Sequence, residues 1–72
     1  LILSYNNIED ISAISRLANL EHLDLSSNKR LSDLDPLYRL HSLKVLNISD
    51  TNVSRKEYRQ LTQKLPACQI IY

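Results

Sequence analysis

The sequence predicts an α/β solenoid. It should have short parallel strands on a concave face, 3-10 or short helical returns, and a C-terminal helix followed by one last strand. Three observations predict this. Apolar residues recur in steps of three along two long ladders, the second ladder lies 23 residues after the first, and each ladder ends by switching to a step of two. Internal repetition at a period of roughly 20 to 50 residues is the mark of stacked coils.

The first ladder runs Ile8, Ile11, Ile14, Leu17, Leu20, Leu23. On an α-helix each step of three falls about 60° short of a full turn, so five steps would spread these side chains around the whole cylinder. A strand fails as well, because odd steps alternate between its faces. A tightly wound return that keeps every third residue inward fits the pattern. The second ladder runs Leu31, Leu34, Leu37, Leu40, Leu43, Leu46. The step of two then appears at Leu23–Leu25 and at Leu46–Ile48, the period of a strand.

The stretch "LEHLDLSSN" (residues 20–28) and its copy "LKVLNISDT" (43–51) resemble the leucine-rich repeat signature L-x-x-L-x-L-x-x-N. "LILSYN" (1–6) supplies the fourth, sixth and ninth places of an earlier, truncated copy. The repeat backs resemble the subclass of about 22 residues found in type-1 protein phosphatase regulators and internalins. The resemblance implies a right-handed solenoid and a protein-binding role. It divides the chain into a single segment, 1–72: a truncated first repeat at 1–19, a second at 20–42, the start of a third at 43–53, and a terminal helix and strand at 54–72.

Asn6 and Asn28 occupy the ninth place. There the strand gives way to the return and backbone groups lose their ladder partners, which is costly if they are buried unpaired. An asparagine amide offers two donors and an acceptor. Thr51 departs from the pattern and has fewer donors. One extra residue follows Asn28, so Lys29 and Arg30 should bulge into water.

After Thr51 the ladder stops. Ser54 and Glu57 form a capping box, with Val53 and Tyr58 placed as a hydrophobic staple. Tyr58, Leu61 and Leu65 share one helical face, and Pro66 ends the helix. "ACQIIY" aligns with "SLKVLN", which places Cys68 opposite Leu43 and Ile71 opposite Leu46. Cys68 then reads as a small buried hydrophobe. Nothing comparable closes the N-terminal side. The open end at Leu1 and Leu3 should be covered by upstream repeats or by another chain, and the abrupt Leu1-Ile2-Leu3 start predicts a piece of a longer protein.

Alternation along the strands predicts three rows on the concave face: His22, Val45 and Ile70; then Ile2, Asp24, Asn47 and Tyr72; then Ser4, Ser26 and Ser49. The resemblance makes His22, Asp24, Val45, Asn47, Ile70 and Tyr72 the candidate contacts for a partner protein. A flat array suits a protein surface better than a small ligand, which needs a concave pocket. His22 and Asp24 adjoin on one face but lack a third ligand or a nucleophile with an orienting partner. Neither an enzyme nor a cofactor or metal site is therefore expected. The alternative role is a structural end-piece or spacer for a larger protein whose activity lies elsewhere.

Nine Lys and Arg against eight Asp and Glu give a net charge of +1, which points away from nucleic acid. No apolar run reaches the roughly 18 residues of a membrane span. Arg55, Lys56, Arg59 and Lys64 read as a solvated helix face. A single cysteine favours a reducing, cytoplasmic setting and forbids an intrachain disulfide. Two N-x-Ser sequons, at Asn47 and Asn52, would matter only in a secreted chain.

Overall fold

The computed structural model describes residues 1–72. In chain order it contains a 3-10 return at Ser12–Arg16, strand β1 at His22–Asp24, a second return at Asp35–Leu37, β2 at Val45–Asn47, helix α1 at Arg55–Lys64 and β3 at Gln69–Ile71. The three strands form one parallel sheet in the order β1-β2-β3. Ile2 adds a single parallel bridge to Asp24 on the free side of β1.

The returns explain the step of three. In a 3-10 turn each N–H bonds three residues back, at 3.0 residues per turn. Here the ladder residues themselves make those bonds. The N–H of Ile14 donates to Ile11, that of Leu17 to Ile14 and that of Leu20 to Leu17, at 2.9–3.0 Å. The second return repeats this: Leu37 donates to Leu34, Leu40 to Leu37 and Leu43 to Leu40, at 2.9–3.1 Å. Each apolar side chain therefore stacks above the previous one. Asp10 and Asp33 start the two returns alike, each carboxylate accepting the N–H two residues on, from Ser12 at 2.9 Å and Asp35 at 3.0 Å.

One continuous apolar cluster results. It joins Ile11 and Ile14 to Leu23, Leu25, Leu31, Leu34, Leu37, Leu40, Leu43, Leu46 and Ile48, and receives Val53, Leu61 and Leu65 from the C-terminal segment. The first coil is less complete than its ladder implies. Leu17 is 44% exposed whereas its counterpart Leu40 is 1% exposed. Leu40 lies between two coils; Leu17 lies at the outer edge of the stack, where no other part of the chain covers it.

The asparagine expectation holds in detail at Asn28, which is fully buried. Its Nδ2 donates to the carbonyls of Leu3 at 2.9 Å and Leu25 at 2.8 Å, and its Oδ1 accepts the Ile8 N–H at 3.1 Å. Thr51 makes only one such bond, from Oγ1 to the Ile48 carbonyl at 2.7 Å. The residue before the ninth place is left-handed in every copy: Tyr5 has φ 58°, Ser27 59° and Asp50 55°. Lys29 and Arg30 are exposed, as the extra residue predicts, and Arg30 pairs with Glu9 at 2.8 Å.

Two expectations at the C-terminal end need correction. Ser54 accepts the Glu57 N–H at 3.1 Å, but the Glu57 carboxylate does not return to Ser54. It reaches the second return, accepting the Leu34 N–H at 3.5 Å and the Tyr38 hydroxyl at 3.4 Å. Half of the capping box is exchanged for a bond between α1 and the preceding coil. The last strand is also shifted by one residue: Val45 pairs with Gln69, Leu46 with Ile70 and Asn47 with Ile71. Cys68 therefore falls beside Lys44 rather than Leu43.

Candidate interaction face

Parallel pairing in register sets equivalent residues side by side: His22 with Val45, Leu23 with Leu46, Asp24 with Asn47. Leu23 and Leu46 turn into the core. The alternate residues turn the other way, because side chains of a strand point to opposite faces in succession. Four of the six expected contacts, His22, Asp24, Val45 and Asn47, lie on this outward face. His22 is exposed and the other three are half-buried.

Ile70 and Tyr72 are not in those rows. Ile70 lies opposite Leu46 and packs against the core. Tyr72 turns to the helix side, where its ring stacks on Tyr58 with centroids 4.5 Å apart and planes 12° from parallel. Its hydroxyl donates to the Val53 carbonyl at 2.9 Å. The places assigned to them belong to Gln69 and Ile71, both exposed. The segment offered no signal for this. Ile70 and Ile71 are both apolar, so alternation could not choose the inward one, and a true helix replaces the 3-10 return that kept earlier copies in phase.

Asp24 and Asn47 share a local arrangement. Oδ1 of Asp24 accepts the Ser26 N–H at 2.9 Å and the Ser26 hydroxyl at 2.7 Å. Oδ1 of Asn47 accepts the Ser49 N–H at 3.0 Å and hydroxyl at 2.7 Å. These turns follow each strand and give the amide two residues past its end a side-chain acceptor. The Ser26 hydroxyl and N–H hold the Asp24 carboxyl below the usual carboxylate range. Beyond the rows, Lys44 and Glu21 approach to 3.5 Å.

Elsewhere the polar groups are occupied structurally or exposed. Asp33, Asp35 and Glu57 bring carboxylate oxygens within 4.8 Å of one another, but Asp33 and Glu57 already serve backbone amides. Burial, with Asp35 and Glu57 nearby, pushes the Tyr38 phenol up to about 12; Lys64 lies 5.8 Å from the centre of its ring. Cys68 is half-buried and burial raises its thiol pKa, the opposite of nucleophilic activation. Arg55, Lys56, Arg59 and Lys64 are exposed along α1. No helix is long and apolar enough to cross a membrane.

The family description "Leucine Rich repeats (2 copies)" matches residues 1–39 and again 19–57. The chain belongs to the leucine-rich repeat family. Domains of this family generally mediate protein–protein interaction and are typically non-catalytic. A search of curated proteins finds no match.

Proposed function

We propose that this chain is a non-catalytic module that recognises another protein through the outward, concave face of its parallel sheet. The observation that carries this reading is the in-register pairing of β1, β2 and β3, which aligns His22 with Val45 and Gln69, and Asp24 with Asn47 and Ile71. A rigid sheet presents these side chains with little ordering cost, and lowering that cost is a general route to affinity. The division of the chain into repeats at 1–19, 20–42 and 43–53, closed by 54–72, belongs to the same reading.

The test is a pair of substitutions made in the full chain. Val45→Arg inserts a large charged group into the centre of the face, whereas Arg59→Glu reverses a charge on α1. Binding of an isolated partner protein should be lost in the first variant and kept in the second, with both unfolding midpoints near that of wild type. The reverse pattern would move the interface to the helix.

The stacking of Tyr72 on Tyr58, with Leu61 and Leu65 in the core, supports a second reading in which α1 and β3 close one side of a larger stack. Deleting residues 54–72 should then unfold the preceding coils while Val45→Arg changes nothing.

A further inference from the structure

Among the outward positions aligned on the strands, Asp24 is the one with a full charge. Both of its hydrogen bonds, from the N–H and hydroxyl of Ser26, fall on Oδ1. Neither ion pair of the protein involves its carboxylate. Oδ2 is thus an anionic acceptor without a partner, on a side chain already oriented by its neighbour. Asn47, directly opposite on β2, spends its Oδ1 on Ser49 in the same way. Its Nδ2, a two-proton donor, is left free. Neighbouring strands lie about 4.8 Å apart. An acceptor and a donor, both preorganised, therefore sit one strand spacing apart. At the two ends of the same row stand Ile2, 78% exposed, and Ile71, 41% exposed.

Resting on the reading of the sheet face as the interface, we infer that the occupant is an extended protein segment that crosses the strands and carries a basic residue with an apolar residue two places to either side, so that all three side chains face the sheet. The basic side chain meets Oδ2 of Asp24, a backbone carbonyl beside it accepts from Nδ2 of Asn47, and the flanking apolar side chains cover Ile2 and Ile71. Charge complementarity selects the cation. The row supplies no cationic side chain; the Leu1 ammonium donates to the His22 carbonyl at 2.9 Å and acts on Asp24 without forming an ion pair with it, and His22 is the one titratable side chain in the adjoining row. A bond between ionised partners is shorter and stronger than a neutral one. An acidic segment would set like charge against Asp24, and a wholly apolar one would strand the carboxylate without water or a partner.

The two repeats provide their own control. Asn47 shows that an amide at this position makes both serine bonds, so Asp24→Asn removes the charge and keeps the turn. The probe is an acetylated, amidated peptide with arginine flanked by leucines two places before and two places after it, compared with the same peptide carrying glutamate in place of arginine. Calorimetric titration of the full chain should show binding of the arginine peptide alone. Asp24→Asn should weaken it at least about tenfold, the scale of a hydrogen bond to a charged group. Asn47→Asp keeps the serine bonds but removes the Nδ2 donor to the segment's carbonyl, so it should weaken binding as well. No binding of the arginine peptide, equal binding by Asp24→Asn, or equal binding of the glutamate peptide would each overturn the inference. Val45→Arg separates this from the broader reading. If it abolishes binding of the isolated partner protein while Asp24→Asn does not, the face is the interface and the basic-residue contact is wrong.

Discussion

Oδ1 of Asn28 accepts the N–H of Ile8 at 3.1 Å, joining two coils at points 20 residues apart in the chain. The same side chain donates to the Leu3, Leu25 and Ser26 carbonyls, so one buried amide serves four backbone groups from two coils. The coils still pair just past the strands, the Tyr5 N–H with the Ser26 carbonyl and the Ser27 N–H with that of Ser49, while this side chain meets the Leu3 and Leu25 carbonyls.

Asn28→Ala should therefore be among the most damaging single substitutions. Each buried backbone group left without a partner costs about 1–3 kcal/mol. Partial rehydration offsets some of this, so a total loss of roughly 3 kcal/mol is expected. Thr51→Ala removes one bond and should cost about 1 kcal/mol. Urea unfolding midpoints of the two variants measure the difference.

The two ladders should respond unequally to truncation. Leu40→Ala empties a site closed on both sides and should cost about 2–5 kcal/mol. Leu17→Ala, at the same place one coil earlier, removes a side chain that is already partly in water. Its cost should be below about 1 kcal/mol. Equal costs in a denaturant series would contradict the burial gradient across the stack.

Tyr5 is 84% exposed and left-handed, with φ 58°. A non-glycine residue in that region carries a cost of about 1–2 kcal/mol, and a glycine there pays only its larger unfolded-state entropy. Tyr5→Gly should be neutral or stabilising by up to about 1 kcal/mol. Tyr5→Val, branched at Cβ, should destabilise by a similar amount. Thermal unfolding of the pair reads the sign.

Tyr38 gives the fold an alkaline limit. Its phenol is raised to about 12 in the folded chain, mainly by burial, with Asp35 and Glu57 opposing ionisation, against roughly 10 when unfolded. The native state thus favours the protonated phenol. Its contribution is fully present below about pH 10 and is lost as pH rises towards 12. Absorbance titration at alkaline pH should show a late-ionising phenol that disappears in Tyr38→Phe. That variant should also lose less stability between those two pH values.

How much was legible follows from what repeats. The step of three could be read because every ladder residue bonds to the previous one, so chain spacing and spatial spacing coincide. Asn28 could be read because a polar residue stood at a fixed place among leucines. Phase was lost at β3, where α1 interrupts the period and two adjacent isoleucines erase the alternation; Ile70 and Tyr72 were misplaced for that reason. Glu57 was misread because its neighbours in sequence predicted a local bond, while the partners of its carboxylate, Leu34 and Tyr38, come from the preceding coil. Leu17 was read as buried because a ladder position says which way a side chain faces and not whether anything covers it.

The account stands on coils stacked so that β1, β2 and β3 lie parallel and in register. Inter-strand nuclear Overhauser contacts between backbone protons test this most directly. They should connect His22 to Val45 and Val45 to Gln69, together with slow amide exchange at Leu25 and Ile48, whose N–H groups donate to the neighbouring strands. Contacts placing Val45 beside Ile70, or helical contacts running unbroken from Ile8 to Leu23, would contradict it.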